Sequence, residues 1–493
     1  MDKKHFYIST AVPYVNLQPH LGFALEIVQA DVIARYHRIL GEKVFFLTGT
    51  DENSLKNVRA AEQERISTKE LVDRNAKKFF DLKKALNLSF DDFIRTTEDR
   101  HIRGAQKFWQ ACEKDIYKKK YKGFYCVGCE EFYKENELKN GFCPEHKTKP
   151  EIIEEENYFF KLSKYQEQIK KIIESDEVKI IPRKRKNEVL NFINSGLEDI
   201  CISRLAQRGR GWGIPVPEDT TQILWTWFDA LSNYITALGY AKNSQQFKKW
   251  WQDNKNILHI VGKGILRFHT VYWLGLLLSA GLNLPKQIFV HGYLTFGGQK
   301  MSKSLGNIID PFELVKKYGT DAVRYFLLRE ISPTEDGDFT IEKFEARFNS
   351  DLAAGIGNLV ARVLTLAEKS KKEDRKYKIT IQNSDLNKLV KEKWKDYQKS
   401  LDNFKFNEAL AIIWQLISFC DKYIERERPW ENSNKQLSII NDLLIALANI
   451  VQMLKPFLPE TSEKIFNQLG GKKEKDFWQF EIKKAKKVLF PKI

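Results

Sequence analysis

Apolar and polar positions alternate between two rhythms along this chain, and the first fifty residues show both. Phe6-Tyr7-Ile8-Ser9-Thr10 is a short strand-like run, and Val12-Pro13-Tyr14 opens a loop that reaches Pro19. A helical period then covers about Leu21 to Leu40 and stops at Gly41. A second apolar run, Val44-Phe45-Phe46-Leu47, ends at Thr48-Gly49-Thr50-Asp51. Strand, helix, strand in this order predicts a parallel sheet, with ligands expected at the carboxyl ends of its strands. Asp51 and the loop Pro13 to His20 fall at such ends.

From about Tyr117 to Pro150 the texture changes to Lys, Gly, Cys and aromatics, which reads as a small inserted module; 151–220 reads as a mixed connecting segment. The α/β pattern is expected to resume at Ile223-Leu224-Trp225 and to continue through Ile257 to Val261 and Gln287 to Gly292. After about residue 350 helical periodicity takes over. Leu410, Ile413, Ile417 and Cys420 share one face, as do Leu443, Leu447, Ile450 and Leu454. The fold class expected is therefore α/β, a Rossmann-type parallel sheet split by an insertion and followed by an α-helical domain.

Composition narrows the class. The chain has 493 residues, 42% hydrophobic and 13% aromatic, enough for a large core and several domains. A formal net charge of +16 suits a polyanionic partner or an anionic surface, although a lysine-rich solvated surface gives the same number. No apolar stretch follows Met1-Asp2-Lys3-Lys4, so no secretory signal is read there. The run Val271 to Leu284 is too short to span a bilayer and reads as a buried helix, so no membrane is expected. The six cysteines do not pair as a disulfide framework: three cluster, while Cys112, Cys201 and Cys420 are scattered. That suggests a reducing compartment and a metal site.

Two constellations carry chemistry. Cys126-x2-Cys129 followed by Cys143-x2-His146 offers four ligands for a closed tetrahedral site, the pattern of structural Zn2+, one per chain. His20 falls at the start of the first helix, where backbone N–H groups and the helix dipole favour anions, and Gly22 allows a ligand close to the backbone. Far along the chain, Gly297-Gly298-Gln299-Lys300-Met301-Ser302-Lys303-Ser304 reads as a mobile basic loop, its glycines supplying freedom of movement. Together the two segments would flank a nucleotide triphosphate.

This pairing resembles the class I aminoacyl-tRNA synthetases, and within them the chain is similar to the methionyl-tRNA synthetase family along nearly its whole length. STAVPYVNLQPHLG, ARYHRILGEKVFFLTGTDE, the single Cys/His knuckle, WFDALSNYITALGY, GILRFHTVYW, VHGYLTFGGQKMSKSLGN, ERPWE and LFPKI carry the likeness. The resemblance implies a methionine–tRNA ligase that forms methionyl-adenylate from L-methionine and ATP, with Mg2+ accompanying the ATP. The methionyl group then passes to the 3′ end of tRNA(Met). It places His20, Lys300 and Lys303 as catalytic groups, and Pro13, His20, Gly22, Lys300, Met301, Ser302, Lys303 and Ser304 around ATP. Methionine would be held by Asp51 at its ammonium and by Ala11, Val12, Tyr14, Trp227, Ala230, Leu231, Tyr234, Ile265 and His269. A thioether favours such aromatic neighbours. Asn358, Arg362 and Trp430 would read the anticodon by stacking and base-edge bonds.

The implied division is 1–116 and 221–296 for the two halves of the catalytic domain and 117–220 for the connective insertion, with its knuckle at about 117–150. Residues 297–350 would be the Lys-Met-Ser-Lys-Ser loop and stem-contact region, and 351–493 the anticodon-binding bundle. Three positions depart from the family pattern: Phe23 stands for a second histidine, Asn53-Ser54 for His-Gly, and Gly264 for an aspartate. The departures leave a non-catalytic tRNA-binding relative as the alternative reading. A small-molecule nucleotidyltransferase is a third reading, which gives the helical domain no task. The chain closes at Leu489-Phe490-Pro491-Lys492-Ile493 without room for a further dimerising domain, so a cytoplasmic monomer is expected.

Overall fold

The structure, a computed structural model, describes residues 4–300, 308–370, 376–380, 384–431, 434–474, 477–483 and 488–493. The chain forms two compact units. The first comprises Met1–Pro19, His37–Lys83 and Ser89–His291, and the second His20–Tyr36, Lys84–Leu88 and Gly292–Ile493.

The first unit is built on a six-stranded sheet with the order Asp92–Arg95, Lys43–Thr50, His5–Thr10, Ile257–Gly262, Gln287–His291, Lys179–Ile181. Every pairing is parallel. The central strand His5–Thr10 is buried from Phe6 onward, which is why its sequence is a continuous apolar run and not an alternating one. The edge strand Lys179–Ile181 comes from the segment read as connective. In contrast, the run at Ile223 does not resume the parallel sheet. Its strand, Asp219–Leu224, pairs antiparallel with Ser203–Leu205 and Pro215–Val216. A short apolar run fits either kind of strand, and only its partners distinguish them.

A four-stranded antiparallel sheet carries the knuckle, in the order Glu131–Tyr133, Ile116–Cys126, Glu151–Phe160, Ile200–Cys201. Its long hairpin sets Lys120 opposite Glu156 and Lys122 opposite Glu154. Opposed charges across strands explain why a lysine-rich run and a glutamate-rich run form one ladder.

In the second unit, strands Leu294–Phe296 and Gln299–Lys300 form a hairpin beside Gly337–Phe339. Gly297 and Gly298 are its two turn residues, at φ +57° and +76°. This corrects the reading of these glycines as a source of mobility: a two-residue hairpin turn needs positive φ at both positions, and glycine supplies it without strain. Beyond lie the helices Asn358–Lys369, Asp385–Asp402, Phe406–Glu427, Gln436–Leu454 and Pro459–Leu469. The two expected stripes, Leu410/Ile413/Ile417/Cys420 and Leu443/Leu447/Ile450/Leu454, are buried as their spacing requires. Gln436–Leu454 is long and apolar enough to cross a membrane on length and composition, and most of it is buried within the protein. The sequence reading missed a small sheet of Lys376–Thr380, Phe477–Glu481 and Lys472–Lys473, whose strands are distant in sequence and short.

Candidate functional site

At the carboxyl end of Lys43–Thr50 the chain turns through Asp51-Glu52-Asn53-Ser54 into the helix Leu55–Glu64. All four residues are buried, and the turn is pinned from every side. Asp51 donates its N–H to the Pro13 carbonyl at 2.8 Å, and Tyr14 pairs with Asp51 in a parallel bridge. The Asn57 amide donates to the carbonyls of Asp51 and Glu52 at 3.2 and 2.9 Å. The Trp212 indole donates to the Glu52 carbonyl at 2.8 Å. Ser54 caps the helix, accepting from the Asn57 N–H, and the Leu55 N–H donates to Glu130 at 2.9 Å.

Asn53 and Ser54, two departures from the family pattern, are therefore both engaged. Asn53 donates both amide hydrogens, to the Thr96 carbonyl at 3.1 Å and to Asp229 Oδ2 at 2.8 Å. The other oxygen of Asp229 lies 2.6 Å from His101 Nε2, and His101 Nδ1 lies 2.8 Å from Thr236 Oγ1. His101 and Asp229 were not singled out from sequence. The signal available was an aspartate inside the otherwise apolar helical pattern Trp227-Phe228-Asp229-Ala230. A buried charge is found paired, so its position asked for a partner.

Burial holds the Asp51 carboxyl well above the usual carboxylate range, and the nearby Asp229 adds to the shift. Burial, with Asp51 beside it, likewise pushes up the Tyr14 phenol. The Tyr14 hydroxyl has no hydrogen-bond partner among the described residues. Such a carboxyl lacks a cation, and a ligand ammonium would supply one.

The other expected pocket residues divide by exposure. Ala11, Val12, Tyr14, Trp227 and Ile265 are partly buried, while Ala230, Leu231, Tyr234 and His269 are buried. Trp227 stacks on Phe268 at 3.8 Å between ring centres and meets the rings of Tyr14 and His269 edge-on. Its indole N–H donates to the Cys129 carbonyl at 3.1 Å. His269 Nδ1 lies 2.9 Å from the Ile265 carbonyl, which can only accept, so Nδ1 carries the proton. Nε2 then accepts from the Tyr234 hydroxyl at 2.7 Å. Burial pulls His269 down to about 4, which keeps the ring neutral and this tautomer fixed.

The knuckle brings Cys126, Cys129, Cys143 and His146 together, their ligand atoms all within 4.8 Å of one another. Cys129 Sγ is 3.5 Å from Cys143 Sγ and 3.2 Å from His146 Nδ1. The set could hold one metal ion. Any Cβ on Gly128 would sit 2.4 Å from the His146 ring, so the histidine can close the site only over a glycine.

The second unit carries the remaining candidates. His20 precedes the helix Leu21–Ile39 and accepts from the Gly22 N–H through Nδ1 at 3.0 Å, and the Leu21 N–H donates to the Ile309 carbonyl at 3.0 Å. Two N–H groups expected to face an anion are thus already satisfied. With Nδ1 accepting, a neutral His20 carries its proton on Nε2. Phe23 is buried, and in the first unit Pro13 is partly buried and Gly264 exposed. Met301, Ser302, Lys303 and Ser304 lie outside the described residues, as does the Lys300 side chain, while the Lys300 backbone ends the hairpin.

On the helix Asn358–Lys369, Asn358 is exposed and Arg362 partly buried. Arg362 lines a cavity of about 290 Å³ with Leu366, Ile424 and Trp430. Asn358 does not line it. Trp430 is 57% exposed. The Arg362 guanidinium is held by Asp421 at 2.7 Å, with Glu425 at 3.6 Å.

Comparison with known proteins gives one consistent answer. The family described as tRNA synthetases class I (M) matches residues 6–149 and 135–364, and the anticodon-binding domain of tRNA ligase matches 383–487. A methionine–tRNA ligase of Thermotoga maritima is 42% identical over 94% of this chain and 75% of its own length. One from Brucella melitensis is 39% identical over 96% and 93%. The Mycobacterium tuberculosis methionyl-tRNA synthetase in complex with methionyl-adenylate superposes with a TM-score of 0.89 at 36% identity, covering 95% of this chain and 94% of that one.

Proposed function

The chain belongs to the methionine–tRNA ligases of the class I tRNA synthetase family, and from that premise we propose how its own residues carry the reaction. The enzyme activates methionine with ATP and transfers the methionyl group to tRNA.

Asp51 binds the α-ammonium of methionine, with Tyr14 beside it. Ala11, Val12, Trp227, Ala230, Leu231, Tyr234, Ile265 and His269 surround the thioether. The observation that carries this reading is the Asp51 carboxyl: buried, raised by burial and by Asp229, and placed at a strand end among half-exposed aromatic rings. With the ammonium held, the methionine carboxylate attacks the α-phosphorus of ATP and pyrophosphate leaves. No covalent enzyme intermediate is required, so positioning and charge stabilisation carry the rate. Pro13 and Gly22 line the nucleotide and His20 donates from Nε2. Lys300 and Lys303 meet the charge that grows on the phosphates, with Met301, Ser302 and Ser304 completing their loop. ATP is taken with its Mg2+.

Cys126, Cys129, Cys143 and His146 hold one Zn2+, which the three-sulfur, one-nitrogen donor set and its spacing support. Bound there, the ion contributes folding stability. The partner is tRNA(Met), read at its anticodon by Asn358, Arg362 and Trp430, with phosphate contacts drawing on the net charge of +16. One chain is the working unit, since the methionine pocket draws on one chain alone, and it works in the cytoplasm with the tRNA. The domain boundaries proposed are 1–116, 117–220, 221–296, 297–350 and 351–493.

The deciding experiment is methionine-dependent exchange of pyrophosphate into ATP. Exchange that requires methionine is the expected result. Its absence at saturating substrates, in protein that still binds tRNA, would favour a non-catalytic paralogue.

A further inference from the structure

The buried cluster beside Asp51 does more than shape the pocket. Asp51 and Asp229 are both almost completely buried, at 2% and 1% exposure. Asp229 accepts from the Asn53 amide and faces His101 Nε2. Asn53 in turn donates its backbone N–H to Asp51 Oδ1 at 3.3 Å. Asp229 thus reaches the Asp51 turn through a single residue. At the far end, Thr236 Oγ1 faces His101 Nδ1 and can donate to the Asn233 carbonyl at 3.4 Å. A hydroxyl there serves either form of the ring. It donates to Nδ1 when His101 is neutral, and accepts from Nδ1–H while donating to Asn233 when the ring is charged.

We propose that Asp229, held between Asn53 and His101, is a positioning residue for methionine binding, and that the Asp51–Asp229 cluster carries an additional proton that the incoming ammonium displaces to solvent. The inference rests on Asp51 being the partner of that ammonium. Two carboxylates cannot both stay ionised at low cost in one buried site. The groups facing Asp51 are Asp229, Glu130 and Glu52, and Tyr14 is beside it. Glu52 is already neutralised by Arg95, at 2.7 and 2.9 Å, and Glu130 has Lys56 and Arg204 near it. Asp229 remains as the neighbour with only hydrogen-bond support and a titratable histidine. When the methionine ammonium arrives it supplies the positive charge that the proton had supplied. The proton leaves for the buffer, and the count of charges in the cluster is unchanged. Methionine therefore binds more tightly as pH rises, until the free cluster is already deprotonated.

The test is titration calorimetry of the full chain with L-methionine at pH 7, in buffers of different ionisation enthalpy. A heat that scales with the buffer, in the sense of proton release, is expected for the wild type. In Asp229→Asn the release should fall by at least half, and the rise of methionine affinity with pH should move to lower pH, while the KM for ATP stays within about twofold. A wild-type heat independent of buffer overturns the proposal, and so does an Asp229→Asn protein with an unmoved pH profile. The wild-type measurement decides by itself if Asp229→Asn does not fold. Asp51→Asn separates the premise from the inference. Unchanged methionine affinity there removes the ammonium assignment, whereas lost affinity together with an unmoved Asp229→Asn profile removes only the proton linkage.

Discussion

The indole N–H of Trp227 donates to the backbone carbonyl of Cys129, 3.1 Å away. One residue lies in the methionine pocket and the other is a metal ligand, so the knuckle holds a wall of that pocket. The next carbonyl, that of Glu130, accepts from the Trp225 indole, and the Glu130 carboxylate accepts from the Leu55 N–H. Three consecutive anchors fasten the segment after Cys129 to the elements that shape the site.

Metal removal should therefore be felt at methionine before it is felt at ATP. Metal analysis of the purified protein is expected to give one zinc per chain. After chelation, the KM for methionine should rise about fivefold or more, the worth of one hydrogen bond of about 1 kcal/mol. The KM for ATP should stay within about twofold. Equal changes in both would indicate general unfolding.

His269 gives a stability that depends on pH. Its folded value is lowered by burial to about 4 from an ordinary 6.5. The neutral ring is the form the fold accepts, so the stabilisation is fully present above pH 6.5. It is lost as pH falls from about 6.5 to about 4, and it amounts to about 3 kcal/mol. His259, also buried and lowered, acts in the same direction. Denaturation midpoints measured from pH 7.5 down to 4 should fall, and His269→Gln should flatten part of that slope.

The hairpin before the basic loop should control rate and not methionine affinity. Gly298 at φ +76° gives its N–H to Asp338 Oδ1 at 2.8 Å, and Asp338 also accepts from the Thr295 hydroxyl. Gly298→Ala forces a side chain into left-handed geometry at about 1–2 kcal/mol. It should slow adenylate formation with methionine affinity unchanged. Lys303→Ala should cost more, about 10² to 10³ in the rate of adenylate formation, because it removes a donor to the transition state. Single-turnover kinetics with both variants decide this; equal losses in rate and methionine binding would count against transition-state contact.

Trp430 is expected to act on tRNA alone. Trp430→Ala should weaken tRNA binding by about 1–3 kcal/mol, the worth of one base stacked on an aromatic ring. Methionine-dependent pyrophosphate exchange should be untouched. Binding and exchange assays on the same preparation test both halves.

Local physics made much of this protein legible in its sequence. The parallel strands at Phe6, Val44, Ile257 and Gln287 are apolar because both their faces are covered, and the helical stripes at Leu410 and Leu443 repeat at the helix's own period. The metal ligands announced themselves because two-residue spacing puts each pair on one turn. What the sequence could not decide was partnership over distance. The run at Ile223 is as apolar as a parallel strand, yet its neighbours make it antiparallel. Gly297 and Gly298 look like flexibility until Leu294–Phe296 and Gln299–Lys300 pair and require a tight turn. Asn53, a departure from pattern when read alone, becomes an anchor because Asp229 lies 176 positions away in the chain and 2.8 Å away in space. Hydrophobic period and ligand spacing act within a few residues, so one sequence carries them. The charge state of a buried carboxylate depends on which groups the fold brings beside it, and only the tertiary structure decides that.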